Sequence, residues 1–581
     1  MHPQLDTTLA TLTRRLLASR HAAGHWEGCL ASSALSTATA VIALHLTGRH
    51  IHAEAVRCGL EWLATTQNVD GGWGDTDRSI SNISTTSLVW AAFAIAGPRP
   101  DIEDRTASWL RTAAGSLAPA ALAAAIVRRY GNDRTFSVPI LTVLALAGKL
   151  GVDGWSRVTS LPFELAALPQ RWFHALGLPV VSYALPALIA IGQLRHQQQP
   201  TRNPVTRMLR NAARAPTLSL LDRLQPSSGG FLEAIPLTSF VVMSLAAAGQ
   251  ANHPVVARGI EFLQRVRRKD GSWAIDTNLA TWVTTLSVNA LGDAIDPAGQ
   301  SAIAAWLLGQ QGDRVHPYTL AAPGAWAWTD LPGGVPDADD TPGAILALHH
   351  LTPRSPAALA AAVRGVTWLA DLQNRDGGIP TFCRGWSKLP FDRSSPDLTA
   401  HTILAWSAWL PRMPVPLRAR IEAALRRTLD YLADAQTPKG GWTPLWFGNQ
   451  YYENDENPVY GTGRVLIGLA GRPSIMVERG IQWLIAAQNQ DGGWGGAPGI
   501  LSTIEETSVA LHACATHNSP ATRRAIERGA HWLIENTASG THTPASPIGF
   551  YFARLWYYEE LYPLIFATAA LRRVKARVNS V

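Results

Sequence analysis

A short pattern recurs along this chain and leaves few folds open to it. GLEWLATTQNVDGGWGD runs from Gly59 to Asp75, RGVTWLADLQNRDGG starts at Arg364, RTLDYLADAQTPKGGW at Arg427 and RGIQWLIAAQNQDGGWGG at Arg479. Looser copies, RGIEFLQRVRRKDGSW and RGAHWLIENT, start at Arg258 and Arg528. The shared frame is a basic–Gly start, an aromatic one turn on, a Gln, and then a Gly-Gly-Trp turn. The opening residues have helical spacing, and Asn/Asp-Gly-Gly stops a helix. The Gln amide is expected to cap free N–H groups of the next helix, with the Trp stacked on that Gln. Each unit then ties one helix pair to its neighbour, and such repeats build helical toroids rather than sheets.

Ala/Leu-rich stretches such as TTSLVWAAFAIAG and PLTSFVVMSLAAAG lie between the repeats and read as inner barrel helices. No alternating strand pattern of useful length interrupts them. At 581 residues the chain exceeds one ordinary core. The expected architecture is all-α, two (α/α) barrel domains dividing near residue 250, with boundaries at 1–22, 23–250 and 251–581.

Composition narrows the partners. Apolar residues make up 47% and charged ones 16%, so part of the exterior is greasy. The net charge is +7, yet no nucleic-acid module accompanies it, and an anionic membrane surface is the better match. Cys29, Cys58, Cys383 and Cys514 show no metal-ligand spacing and read as free thiols in a reducing compartment. The N-terminus carries its Arg pair behind the apolar run and is not a signal peptide, which implies a cytoplasmic protein. Ala175–Leu194 has no charge, but Pro179 and Pro186 interrupt it, favouring a buried helix over a membrane span. Arg202, Arg207, Arg210 and Arg214 follow it among apolar side chains, a pattern suited either to an anionic lipid face or to an ordinary basic surface.

One stretch carries chemistry. VPDADDTPGAI crowds Asp337, Asp339 and Asp340 ahead of an apolar helix, with Thr341 as expected cap and Pro342 in the first turn. Alone, this is also what an ordinary capping loop looks like. Buried together, however, crowded carboxylates cannot all ionise, so one keeps its proton at neutral pH. Such a cluster reads as a proton store.

The Gln-to-Trp repeats and the DADD quartet together resemble the class II terpene cyclases, specifically the squalene–hopene cyclase family with its QW and DXDD motifs. The resemblance covers nearly the whole chain. It implies two α-barrels, one inserted near the N-terminus of the other, a catalytic cavity between them, monotopic membrane association and a possible homodimer. It assigns the transferred proton to Asp339, with Asp337 and Asp340 supporting it. In SSPDLTAHTI, His401 matches the histidine that bonds the acid, and Asp397 is expected to hold it as a cation. Tyr460 in VYGTG matches a proton-relay tyrosine. Trp282, Trp326, Trp328, Phe382 and Trp446 are the expected aromatic wall, and Phe550, Tyr551 and Tyr558 the aromatic floor. Leu555 and Pro547 depart from that floor, and a stretch with Glu453, Asp455 and Glu456 is longer than the pattern.

The resemblance implies cyclisation of a linear isoprenoid, squalene foremost, to a hopene-like or partly cyclised product, with no metal and no cofactor. A C15 or C20 prenyl diphosphate is the alternative substrate and would bring Mg²⁺ and an Arg/Lys clamp, which the sequence does not display. A non-catalytic prenyl-binding toroid is a further alternative, opposed by the intact Asp339–His401 pair.

Overall fold

The computed structural model describes residues 4–48, 50–169, 172, 184–317, 319–382, 392–517, 519–550 and 554–579. The chain divides into two compact units. One holds Leu30–Thr277 with Leu331–Gly334, and the other holds Met1–Cys29, Asn278–Asp330 and Val335–Val581.

In the first unit, the apolar helices Ala34–Gly48, Ile83–Ala96, Arg134–Leu146, Leu185–Gln198 and Ile235–Leu245 each pack on the next, and the last returns to the first. They form a closed inner ring. In the second unit the ring is Ala280–Leu291, Asp340–Leu351, Pro396–Trp409, Pro458–Gly468, Ile504–Thr516 and Leu561–Val578, again closed on itself. Outer helices, among them Pro356–Leu372, Val415–Ala435 and Ile475–Ala486, follow the inner ones in sequence and pack outside them. Leu5–Ala18 packs on Leu561–Val578. Inner helices are apolar all round because both faces are covered, whereas outer ones are amphipathic.

The first unit extends to Thr277 instead of ending near residue 250. The reason is the repeat that starts at Arg258. Thr37 Oγ1 accepts the backbone N–H of its Trp273 at 3.0 Å, and the indole lies so close to Gly59 that an added Cβ would stand 3.2 Å away. That Trp joins the last helix pair of the ring to the first.

The repeat works differently from the expectation. The Gln amide donates to carbonyls and does not cap N–H groups. Gln373 Nε2 gives hydrogen bonds to Gly377 O at 2.8 Å and Ala424 O at 3.0 Å, and Gln436 and Gln488 repeat the pattern. The Arg of the next repeat donates to the Gln oxygen, as Arg427 does to Gln373 and Arg364 to Gln311. The Trp indole N–H of Trp73, Trp273, Trp442 and Trp494 donates to a Leu carbonyl ten residues earlier, at 2.7–2.9 Å. A glycine near the start of most repeats makes room for that indole: a Cβ on Gly480 would meet Trp442 at 2.7 Å, and one on Gly529 would meet Trp494 at 2.6 Å. The Gln amide and the indole N–H are thereby used, and a large aromatic surface is buried.

Ile548–Phe550 and Leu555–Tyr557 pair as a short antiparallel ribbon, which the sequence pattern did not reveal. Cys58 and Cys514 are free thiols and Cys29 is exposed, while Cys383 lies outside the described residues. Among the described residues no single helix is long and apolar enough to cross a membrane, although the bent pair Pro100–Ala114 and Pro119–Tyr130 passes by length and composition. Of Ala175–Leu194, the part from 184 onward is described, and Leu185–Gln198 is a mostly buried helix.

Candidate active site

The acid loop enters the second ring at the N-terminal turn of Asp340–Leu351. Asp337 organises it. Its Oδ1 accepts the backbone N–H groups of Asp339 and Asp340, both at 2.8 Å. Thr341 is therefore not the cap: it sits inside the first turn, where its hydroxyl accepts the Trp326 N–H at 3.1 Å. The loop is also tied down from behind, by Asp337 N–H to Trp326 O and Ala338 N–H to Thr381 O.

Asp337 and Asp340 are buried side by side, and each is 4% exposed. Burial pushes the Asp337 carboxyl up to about 7, against the hydrogen bonds it accepts. Burial and the neighbouring Asp337 push Asp340 well above the carboxylate range. Side by side, the two carboxyls retain one proton at neutral pH. Asp340 Oδ1 is buried without a hydrogen-bond partner. Asp339 is the exposed member of the trio, with 20% of its side chain accessible.

His401 meets it. Nδ1 lies 2.6 Å from Asp339 Oδ1, and the imidazole side chain is 4% exposed. Gly343 permits this approach, because a Cβ there would stand 2.9 Å from Thr285 Oγ1 and 3.5 Å from the His401 ring. Burial lowers the His401 pKa from its ordinary value, against the opposing pull of Asp339. The ring is thus neutral near pH 7 instead of the expected cation, and its Nδ1–H donates to the carboxyl oxygen.

Asp397 does not hold His401 as expected. It lies in the first turn of Pro396–Trp409, and its Oδ1 accepts from Ser395 Oγ behind it. Burial raises this carboxyl to about 6. Tyr460 is buried on the first turn of Pro458–Gly468, held by its N–H to Asn457 Oδ1 at 3.1 Å and by Phe447, 4.6 Å between ring centroids. Its hydroxyl makes no hydrogen bond among the described residues. Burial pushes it well above the usual phenol range.

Aromatic rings flank the acid. Trp282 approaches the His401 ring edge-on at 6.2 Å. Its indole N–H donates to Tyr562 Oη at 3.0 Å, and Tyr562 is 2.9 Å from Tyr557 Oη, so the ring is held at a fixed angle. Trp328, Phe382 and Trp446 form a continuous row, with centroid separations of 6.2 and 5.8 Å. Trp446 Nε1 donates to Thr381 Oγ1, the residue whose carbonyl anchors Ala338. Trp326 does not join this row. It is fully buried, and its N–H donates to Leu307 O at 2.7 Å, the repeat lock in a longer frame. Tyr558 is buried at the far end of the ribbon. The Phe550 side chain and Tyr551 lie outside the described residues.

Of the acidic stretch, Asp455 pairs with Arg554 at 2.5 Å and is structural. Burial and Glu453 raise Glu456. The sequence reading missed Tyr562, Tyr557, Thr381, Ser395 and Arg464. Arg464, one turn after Tyr460, was detectable from that spacing. Among the described residues no three His, Cys, Asp or Glu side chains group as metal ligands.

The squalene-hopene cyclase C-terminal domain profile matches residues 279–576, and the squalene-hopene cyclase N-terminal domain profile matches residues 9–204. Enfumafungin synthase efuA of Hormonema carpetanum is 27% identical, over 92% of this chain and 45% of its own length. The chain thus spans about half of that relative. A probable squalene–hopene cyclase of Sinorhizobium fredii is 24% identical, over 84% of this chain and 82% of its own. Among solved structures, abietadiene synthase from Abies grandis aligns at 16% identity and TM-score 0.49, over 83% of this chain and 54% of its own. The extent of the family match, over most of the first helical ring and nearly all of the second with its acid loop, makes this chain a member of the squalene–hopene cyclase family of class II terpene cyclases.

Proposed function

We propose that this protein cyclises a linear isoprenoid by protonating its terminal alkene, with Asp339 as general acid and squalene as the foremost substrate. The observation that carries this reading is the 2.6 Å contact between Asp339 and a buried His401, beside two carboxyls that share a proton. Asp339 Oδ1 accepts from His401 Nδ1–H, which leaves Oδ2 to carry the acidic proton towards the alkene. The π-bond takes that proton, a tertiary cation forms, and further alkenes of the same chain attack it in turn. The carboxylate left behind keeps the His401 hydrogen bond and the positive end of the Asp340–Leu351 helix.

Trp282, Trp328, Phe382 and Trp446 offer π faces to the migrating charge, which water would otherwise quench. Tyr460, with its unengaged hydroxyl, is the candidate to return a proton to Asp339. The reaction as read needs no redox cofactor and no metal.

A cytoplasmic, monotopic association with a membrane surface fits the exposed apolar side chains Val205, Met208 and Leu209 on Pro204–Leu224, together with the exposed Leu165, Leu168 and Trp172, Leu165 lying in the turn Phe163–Ala167 that packs on this helix. Arg210 is not part of that basic face. It is buried and paired with Glu164 at 3.0 Å.

The test is incubation of detergent-solubilised protein with squalene and EDTA, followed by lipid extraction and mass spectrometry beside Asp339→Asn. A cyclic hydrocarbon or alcohol formed only by the wild type supports the reading. Unchanged squalene contradicts it and directs the assay to C15 and C20 prenyl diphosphates with Mg²⁺.

A further inference from the structure

Arg464 stands where a carbocation enzyme has reason to avoid a cation. It lies on the inner helix Pro458–Gly468, one turn beyond Tyr460 and one turn before Gly468. At Gly468 this helix touches Pro396–Trp409 directly: a Cβ there would stand 2.6 Å from both Ala400 Cβ and Ala400 O. Asp397 lies one turn before Ala400 on its own helix, and Arg464 lies between the contact at Gly468 and Tyr460 on the other.

Arg464 is partly exposed as a residue, and its guanidinium makes no hydrogen bond or ion pair among the described residues. Other arginines of the second unit take such partners, as Arg427 does with Gln373 and Arg554 with Asp455. The ionisable groups facing Arg464 are Asp339, Asp397 and His401 from the neighbouring inner helices, Tyr460 from its own helix, and His512 from Ile504–Thr516, which Arg573 also faces. Asp337 and Asp340 complete the acidic side, and Tyr557 faces Asp339 and Asp340 from the ribbon, with Glu559 beside it.

With His401 neutral, something else must balance the carboxylates of this site. We propose that Arg464 is the permanent positive charge of the acid site, a positioning residue that acts through Asp339 and Asp397 without touching the substrate. Set back from a direct ion pair, it favours the charged form of these carboxylates while leaving Asp339 free to donate. It supplies what the sequence reading asked of a histidinium, from a group that keeps its charge at any working pH. In the proposed reaction it strengthens the acid by stabilising the anion produced in the proton-transfer step. This role rests on the cyclase reading above.

The experiment compares wild type, Arg464→Met and Arg464→Lys in two assays. The first is turnover of squalene against pH. In Arg464→Met, kcat is expected to fall about ten- to a hundredfold with little change in KM. The alkaline limb of activity should move up by about one pH unit, because the carboxyls hold their protons longer without the cation. Arg464→Lys should restore the limb and most of kcat. The second assay is infrared titration of the protonated-carboxyl band, with Asp397→Asn identifying the component that titrates near pH 6. That component should move to higher pH in Arg464→Met alone.

An unchanged limb and an unmoved band in Arg464→Met overturn the proposal, as does a lysine variant that behaves like the methionine one. Should wild type turn over neither squalene nor a prenyl diphosphate, the cyclase reading fails, and the infrared titration still decides whether Arg464 sets the charge of these carboxyls.

Discussion

Two regions of the second helical ring treat buried polar groups in opposite ways. At the repeat turns, each Gln, Arg and Trp finds its partner. Gln488 donates to Gly492 O and Ala525 O, its oxygen takes Arg528, and Trp494 donates to Leu484 O. At the acid site, Asp340 Oδ1 and Trp328 Nε1 are buried without hydrogen bonds, and three carboxyls lie above their ordinary pKa range. Unsatisfied buried groups destabilise a fold. The contrast teaches that the turns supply the rigidity under which strained protonation states persist at the centre of the ring.

The sharpest way to probe this contrast is to remove the acid alone. Asp339→Asn should abolish turnover, by about three orders of magnitude or more, while the melting temperature stays level or rises. Simultaneous loss of folding would place Asp339 among the structural groups. The opposite cut is Trp494→Ala. It removes a fully buried indole and its hydrogen bond, and should cost about 3–5 kcal/mol in denaturant unfolding. A small cost there would show that the repeats are not what stiffens the ring.

Between these extremes lies His401→Gln. The glutamine keeps a donor but loses the ring, and kcat should drop about ten- to a hundredfold in steady-state assays with stability nearly unchanged. The smallest effect concerns Glu505, a buried carboxyl on the first turn of Ile504–Thr516, raised to about 8 chiefly by burial. The folded protein keeps a proton there that the unfolded chain releases above about pH 4. Stability from this group is therefore lost as pH rises through 8. Glu505→Gln should raise the melting temperature by a few degrees at pH 9 and by less at pH 5. Equal gains at both would contradict the assigned protonation.

The two regions also differ in how far the sequence reveals them. The repeat is legible because it recurs: Gly, Gln and Trp keep their spacing, and that spacing is the geometry of the lock. Its hydrogen bonds were misassigned because an amide both donates and accepts, and spacing does not say which face of Gln373 meets the next helix. Trp326 and Trp328 look equivalent in AWAWTDL. Trp326 is a repeat Trp whose Leu307 partner lies nineteen residues back instead of ten, which hid it among cavity candidates.

The acid site is legible where residue type alone carries the chemistry, as with Asp337, Asp339, Asp340 and His401. It is illegible where the role depends on burial. His401 reads as a cation until its surroundings are known, and Asp397 reads as its partner until Ser395 takes the carboxylate. Tyr562 stood in an aromatic run with nothing to single out the hydroxyl that reaches Trp282.

The most direct test of the central claim is isotopic. Turnover of squalene in D₂O with the wild-type protein, read by mass spectrometry and deuterium NMR, reports where the initiating proton comes from. Protonation by Asp339, which exchanges with solvent, places one carbon-bound deuterium on the former CH carbon of the terminal alkene, now a ring methylene, in every product molecule. A cyclised product without that deuterium would contradict protonation by a carboxylic acid and, with it, the role assigned to the crowded carboxyls.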